Sequence, residues 1–288
     1  MQVTFDFNYS VYYSKIYNIL VLLFISDLSE KSMNLQNEKV ESSSVPLNIL
    51  EKLTKLRNIA GKSICNLKIA SKDLGTGAIY QVENEKGKEI FLFITCNHLL
   101  PTTSRRELCH AKLQFDDIQQ MKSINLDKEH MKFVWTTKLF DATVIEISHE
   151  LATRFESFGA HFLKLGDAVL NESSRKIAIL KYTFGKLHIE QGEIKELSET
   201  DMIYRMGTSP GSSGSPVLTL DCLALAMHSD VASGVMFYQP TSVHKATSIR
   251  TIVKTFLEDK TQNDHELIIL KLQLTTLKYE HAAILNNW

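Results

Sequence analysis

The run Gly207-Thr208-Ser209-Pro210-Gly211-Ser212-Ser213-Gly214-Ser215-Pro216 decides how this chain is read. A nucleophilic serine needs an exposed hydroxyl, a base to take its proton and donors for the oxyanion that forms. Glycines around Ser213 allow a sharp backbone turn that points successive N–H groups into one small volume. Gly211 is placed to take a backbone angle other residues resist, and the amides of Gly211 and Ser213 are the expected oxyanion donors. Gly214 is read as a point of close approach for substrate, and Pro216 as fixing the exit into the apolar strand PVLTL. Taken alone, a Gly/Ser/Pro run is a flexible turn. The strand directly after it and two residues far upstream change that.

The first is His98, in Ile94-Thr95-Cys96-Asn97-His98-Leu99-Leu100, at the end of the apolar run FLFIT. A histidine at a strand exit can stand in a cleft with one ring nitrogen available, and its ordinary pKa suits a general base. The second is Asp141, in Phe140-Asp141-Ala142-Thr143-Val144-Ile145-Glu146-Ile147. A carboxylate at the mouth of an apolar strand is costly unless paired. Accepting the Nδ1 hydrogen of His98 would satisfy it and fix the ring's tautomer. The plain alternatives are a half-buried structural histidine, one of ten in the chain, and a turn aspartate before a strand.

Outward from these residues the texture is uniform. From Ala60 to about Phe237, short β-branched and aromatic runs alternate with turn residues: GAIYQVEN, IFLFITC, KFVWTT, ATVIEIS, KIAILKYTF, SPVLTL, LALAMHS. Each has strand length, and many short strands at regular spacing predict an antiparallel sandwich or barrel. After them Thr247 or Ser248 can cap a helix in which Ile249, Ile252, Val253, Phe256 and Leu257 share one face. A polar break follows, then a second amphipathic stretch through Leu267, Ile268, Leu270, Leu274 and Leu277.

The chain therefore divides into an N-terminal extension (1–58, partly disordered), a β-rich domain (59–259) and a C-terminal helical segment (260–288). Residues 26–46 are polar and lack hydrophobic period, as a linker does. Ile19–Ile25 is continuously apolar but far short of the about 20 residues that span a bilayer. Residues 1–26 would direct secretion only as a signal peptide, and no small-residue cleavage site follows. The expectation is an intracellular protein, cytoplasmic or nuclear, with residues 1–32 outside the fold.

Composition is that of an ordinary globular protein, with 44% apolar and 23% charged residues, so a core of normal size is expected. A formal net charge of -1 gives no global attraction to nucleic acid or acidic membranes. Nucleic acid is not indicated as a partner, although scattered pairs such as Arg105-Arg106 occur. Cys65, Cys96, Cys109 and Cys222 include no Cys-x-x-Cys pair, and reduced thiols are expected over two disulfides. A metal site from Cys96, His98, Cys109 and His110 would need four donors converging on one ion, which the intervening PTTSRREL makes a poor expectation. No metal or organic cofactor is called for.

The order His98, Asp141, Ser213 resembles that of the trypsin-like (chymotrypsin-fold) serine peptidases. Gly75-Thr76-Gly77-Ala78-Ile79 looks like their Gly-Ser/Thr-Gly strand, Thr95-Cys96-Asn97-His98 like Thr-x-x-His, and Phe140-Asp141-Ala142-Thr143-Val144-Ile145 like the Asp-hydrophobic-Ala strand. The run GSSGSP is similar to Gly-x-Ser-Gly-Gly/Ser-Pro. The resemblance covers about residues 60–257. It implies an all-β fold of two antiparallel six-stranded β-barrels with C-terminal helices. It also implies a catalytic triad of His98, Asp141 and Ser213, an oxyanion hole at Gly211 and Ser213, and protein or peptide substrates. The apolar motif that follows an activation cleavage and the paired cysteines of secreted digestive members are missing. The sequence is more similar to the intracellular, bacterial or viral-type branch, including FAM111-like proteins of animals. No PDZ-like second domain is evident.

Thr208 before the serine and His228 after it resemble the pair that binds a Glu or Gln P1 side chain in glutamyl endopeptidases and picornavirus 3C-like peptidases. A hydroxyl and an imidazole can both donate to such a side chain. Gly207 stands where basic-specific relatives carry Asp, so a non-basic P1 residue is expected. The competing reading of the whole chain is an inactive trypsin-like domain that binds protein, with the C-terminal helix as its docking element.

Overall fold

In a computed structural model of the chain, the described residues are 47–70, 72–84, 86–115, 122–166, 175–183, 185–206, 211–229 and 243–264. Everything below concerns the unit that begins at Leu47.

Helix α1 (Leu47–Ala60) leads into a first sheet of seven strands: β1 (Ile64–Ile69), β2 (Lys72–Glu83), β3 (Glu89–Cys96), β4 (Ala111–Phe115), β5 (Lys122–Asn125), β6 (Met131–Thr137) and β7 (Ala142–Ile147). Their order is β5-β4-β1-β2-β3-β7-β6, with every pairing antiparallel. The short helix α2 (Arg105–Leu108) lies between β3 and β4, and α3 (His149–Ser157) follows β7. Ser148 caps α3 by accepting a hydrogen bond from the Leu151 amide at 3.1 Å.

The second sheet contains β8 (Lys164–Leu165), β9 (Lys176–Thr183), β10 (Lys186–Leu197), β11 (Asp201–Arg205), β12 (Pro216–Thr219), β13 (Leu223–His228) and β14 (Val243–Ser248). Its order is β12-β9-β10-β11-β14-β13-β8, and an added β12–β13 pairing closes six of these strands into a barrel. β8 joins β13 in parallel, outside the ring. The first sheet has no such closing pair among the described residues and is a half-barrel. The architecture is all-β, a half-barrel sheet and a closed six-stranded barrel, with a C-terminal helix.

Three apolar clusters explain the sequence pattern. One fills the first sheet, another fills the second barrel, and the largest lies between them. On β3, Phe91 and Phe93 face the first-sheet core while Leu92, Ile94 and Cys96 face the central one. On β9, Ile177 and Ile179 face the barrel interior while Ala178, Leu180 and Tyr182 face the centre. Strands buried on both faces read as continuous apolar runs rather than alternating ones. That is why FLFIT and IAIL stand out in the sequence.

A helix over 249–264, α4, completes the described fold. The Ser248 hydroxyl accepts from the Thr251 amide at 3.4 Å, and Ile249, Ile252, Val253 and Phe256 are buried in the central cluster. The far end of α4 reaches the first sheet. Trp135 Nε1 donates to Asp259 Oδ2 at 2.6 Å, and Lys260 pairs with Glu146. Helix α1 crosses the boundary placed above at residue 58, and Leu56 and Ala60 are fully buried in the central cluster. The expected helix beyond 264 lies outside the described residues. No described helix is long and apolar enough to cross a membrane. All four cysteines are free thiols.

Candidate active site

The site is built where the first sheet meets the turn before β12. Strands β3 and β7 pair antiparallel, with Cys96 opposite Ala142. This register sets the turn after β3, which carries His98, beside the mouth of β7, which carries Asp141. Two contacts join these residues directly, and Asn97 adds a third to Asp141. His98 Nδ1 lies 2.7 Å from Asp141 Oδ2, the His98 amide donates to Asp141 Oδ1 at 3.0 Å, and the Asn97 amide donates to the Asp141 carbonyl at 2.9 Å. Asp141 sits at φ 47, a left-handed conformation that Asp tolerates better than most residues. The His98 side chain is 38% exposed and that of Asp141 18%, so the carboxylate faces inward and the ring faces the solvent side.

The turn 211–215 docks onto the ends of β2 and β3 through one residue above all, Thr76. Its amide donates to the Ser213 carbonyl at 3.0 Å. Its hydroxyl donates to the Gly211 carbonyl at 2.8 Å and accepts from the Tyr182 amide at 2.9 Å. Its own carbonyl accepts from Thr95 Oγ1 at 2.8 Å. Thr76 is fully buried, so each bond is shielded from water. A side-chain carbon added to Gly75 would lie 2.6 Å from Leu99 Cδ1 and 3.1 Å from the Ser213 carbonyl. Gly75 is thus the point where Ser213 and the neighbour of His98 approach each other. No hydrogen bond joins the Ser213 hydroxyl to His98 among the described residues.

Both glycines of the turn are required by backbone angle and by space. Gly211 has φ +95, and a Cβ there would meet the Tyr182 carbonyl at 2.3 Å. Gly214 has φ +80, and a Cβ there would meet the Thr76 carbonyl at 2.0 Å and Thr95 Oγ1 at 2.6 Å. The expectation that Gly214 makes room for substrate is corrected: the space beside it is filled by β2 and β3. The Gly211 and Ser213 amides have no acceptor among the hydrogen bonds of the described residues. Pro216 opens β12, as expected.

Thr208 and Gly207 lie outside the described residues. His228 ends β13 and is buried. Its main chain braces the serine turn: Gly214 N donates to His228 O at 2.9 Å, and His228 N donates to Ser215 O at 2.8 Å. Its ring packs against Tyr204 and His244, with centroids 6.1 and 5.6 Å away, and the Tyr204 hydroxyl bonds Nδ1. With Tyr204 as donor, the proton of the neutral ring resides on Nε2. His244 is held in turn by a 3.1 Å contact between Nε2 and the Met206 carbonyl. No local pattern singles out Tyr204 or His244, which come from separate strands. Thr76 was visible in the Gly-Thr-Gly motif but without a role.

The group of metal-ligating side chains that the described residues bring together is Cys96, His98 and Asp141. Cys109 and His110 do not join it; the Cys109 thiol donates to the Arg105 carbonyl at 2.9 Å. The Cys96 thiol lies beneath the pair and donates to the His228 carbonyl at 3.3 Å. Burial, and then the nearby Asp141 carboxylate, push its pKa well up.

No protein-family model matches the sequence, and no curated protein matches it. Several solved structures are similar in fold. The serine-to-alanine mutant of Rv3671c from M. tuberculosis, in an inactive form, shares 12% identity over 75% of this chain and 94% of its own, at a TM-score of 0.49. A human pathogenic astrovirus serine protease shares 17% identity over 66% of this chain and 91% of its own, at 0.40. The HtrA-type protease AlgW, bound to a decapeptide, shares 13% over 70% of this chain and 66% of its own, at 0.48.

Proposed function

We propose that this chain is a serine endopeptidase of the intracellular, bacterial or viral-type trypsin-like branch. The observation that carries the reading is the His98–Asp141 pair, 2.7 Å between Nδ1 and Oδ2, beside a serine turn tied to the strand leading to His98. In this reading Ser213 Oγ attacks the scissile carbonyl and His98 Nε2 takes its proton. His98 then gives that proton to the leaving amine. Asp141 keeps the Nδ1 proton in place and stabilises the imidazolium. The Gly211 and Ser213 amides receive the oxyanion. No cofactor enters the chemistry.

The substrate pocket extends the same reading. Thr208 and His228 would donate to a Glu or Gln P1 side chain, or to another non-basic one. The Tyr204–His228 contact is compatible with this: with Tyr204 as the donor, Nδ1 accepts and the ring proton resides on Nε2. Substrates would be proteins or peptides in the cytoplasm or nucleus.

A fluorophosphonate probe and a peptide library test both parts. Wild-type protein is expected to label at Ser213 and to cleave after Glu or Gln, and folded Ser213→Ala to do neither. Labelling that persists in Ser213→Ala removes the assignment. A folded wild type that neither labels nor cleaves is instead a binding module.

A further inference from the structure

We propose that Cys96, His98 and Asp141 form a binding site for a thiophilic divalent cation of the zinc class, and that its occupancy switches off the His98 base. One donor atom from each of the three lies within 4.8 Å of the others. The grouping follows from the β3–β7 register, which sets Cys96 opposite Ala142 and so beside Asp141, while His98 folds back over the pair.

The donor set is specific. Thiolate and imidazole favour zinc-class ions over magnesium or calcium, which take oxygen donors. Thiolate and carboxylate together cancel the charge of a dication, so a bound ion leaves no net charge in this partly buried place. Three protein ligands leave a fourth, tetrahedral position toward solvent on the side where His98 is exposed. Ligand distances of about 2.0–2.3 Å require the His98–Asp141 contact to open to about 3 Å or more. The exposed His98 ring can swing to allow it, whereas fully buried Cys96 cannot move far.

The proton balance is explicit. Binding converts the Cys96 thiol to thiolate and releases one proton to solvent. The ion takes the Nδ1 lone pair, so the remaining ring proton resides on Nε2. A protonated Nε2 cannot accept the Ser213 proton, and hydrolysis stops. Because binding releases that proton, affinity falls as pH falls.

The inhibition arm of the test rests on the peptidase reading, while the binding arm does not. Full-length protein stripped of metal by chelation is titrated with Co2+ near neutral pH, and thiolate-to-cobalt absorption is followed. The expected result is a near-ultraviolet charge-transfer band that Zn2+ displaces and Mg2+ does not. It is expected to vanish in Cys96→Ser, to survive in Cys109→Ser, and to need roughly tenfold more Co2+ in Asp141→Asn. The serine hydroxyl keeps a donor for the His228 carbonyl, so Cys96→Ser preserves this tie to the serine turn. Zn2+ is expected to inhibit wild-type hydrolysis, reversibly with chelator, and Cys96→Ser to need at least roughly tenfold more. Absence of the band in wild type, its survival in Cys96→Ser, or equal zinc sensitivity of the two proteins overturns the proposal. If no variant hydrolyses peptide, the cobalt band alone decides it.

Discussion

Thr76→Val isolates what the buried threonine hydroxyl does. Valine has nearly the same shape, so no cavity opens and the backbone bonds to Ser213 and Thr95 are kept. What is lost is the 2.8 Å bond to the Gly211 carbonyl and the 2.9 Å bond from the Tyr182 amide. Each lost bond removes about 1 kcal/mol, and each buried group left without a partner costs about 1–3 kcal/mol instead when no water reaches it. Two such groups give a destabilisation of about 2–6 kcal/mol. At about 2–4 °C per kcal/mol for a domain of this size, the melting temperature falls by roughly 4–24 °C. Catalysis suffers separately, because the Gly211 carbonyl anchors the turn whose amides meet the oxyanion. Removing a whole oxyanion donor costs about 10²–10³ in kcat, and tilting one costs less, about tenfold to a hundredfold. Thr76→Ser is the control, since it keeps the hydroxyl and drops only a methyl. The assay is a thermal melt by circular dichroism, with kcat on a peptide cleaved by the wild type. If Thr76→Val and Thr76→Ser match in both melting temperature and kcat, the bridging role of the hydroxyl is refuted.

The other expectations concern separate parts of the molecule. Asp141→Asn should fold normally, because Asn tolerates the left-handed angle at this position, yet lose about 10⁴ in kcat by presenting the wrong tautomer of His98. An unchanged kcat would remove Asp141 from the mechanism. Tyr204→Phe frees His228 Nδ1 from its hydroxyl partner and should raise KM for Glu or Gln substrates at least roughly tenfold, with a smaller change in kcat. Equal KM values in a steady-state comparison would detach His228 from P1 recognition. Asp259→Ala removes the acceptor of the Trp135 indole at the far end of α4, and urea unfolding should report a loss of about 1–3 kcal/mol. No shift in the urea midpoint would mean that α4 is held by its apolar face alone.

Much of this protein is legible in one dimension. Runs such as FLFIT and IAIL are apolar because both of their faces are buried, so they announce strands without any partner being known. Ser248 and the apolar face of α4 likewise read directly, since a cap and its period lie within one helix. Asp141 before an apolar strand signalled a partner, because a carboxylate there needs one. β10 escaped notice for the opposite reason: it is largely solvated, with the burial of an edge-like ribbon and many charges. Helix α1 escaped because its core contacts rest mainly on Leu56 and Ala60.

By itself the sequence determined the alphabet of elements and the order of the histidine, aspartate and serine along the chain. Local periodicity, caps and turn residues act over a few neighbours, and the chain displays them openly. That Thr76 bridges Gly211 and Tyr182, residues 135 and 106 positions away, emerges only in three dimensions. The folded arrangement alone set the Tyr204 hydroxyl on His228, placed Cys96 beneath Asp141, and closed six strands of the second sheet into a ring. Those contacts depend on the register between strands remote in sequence. Hydrogen bonds and burial across the whole fold fix that register, and no local pattern encodes it.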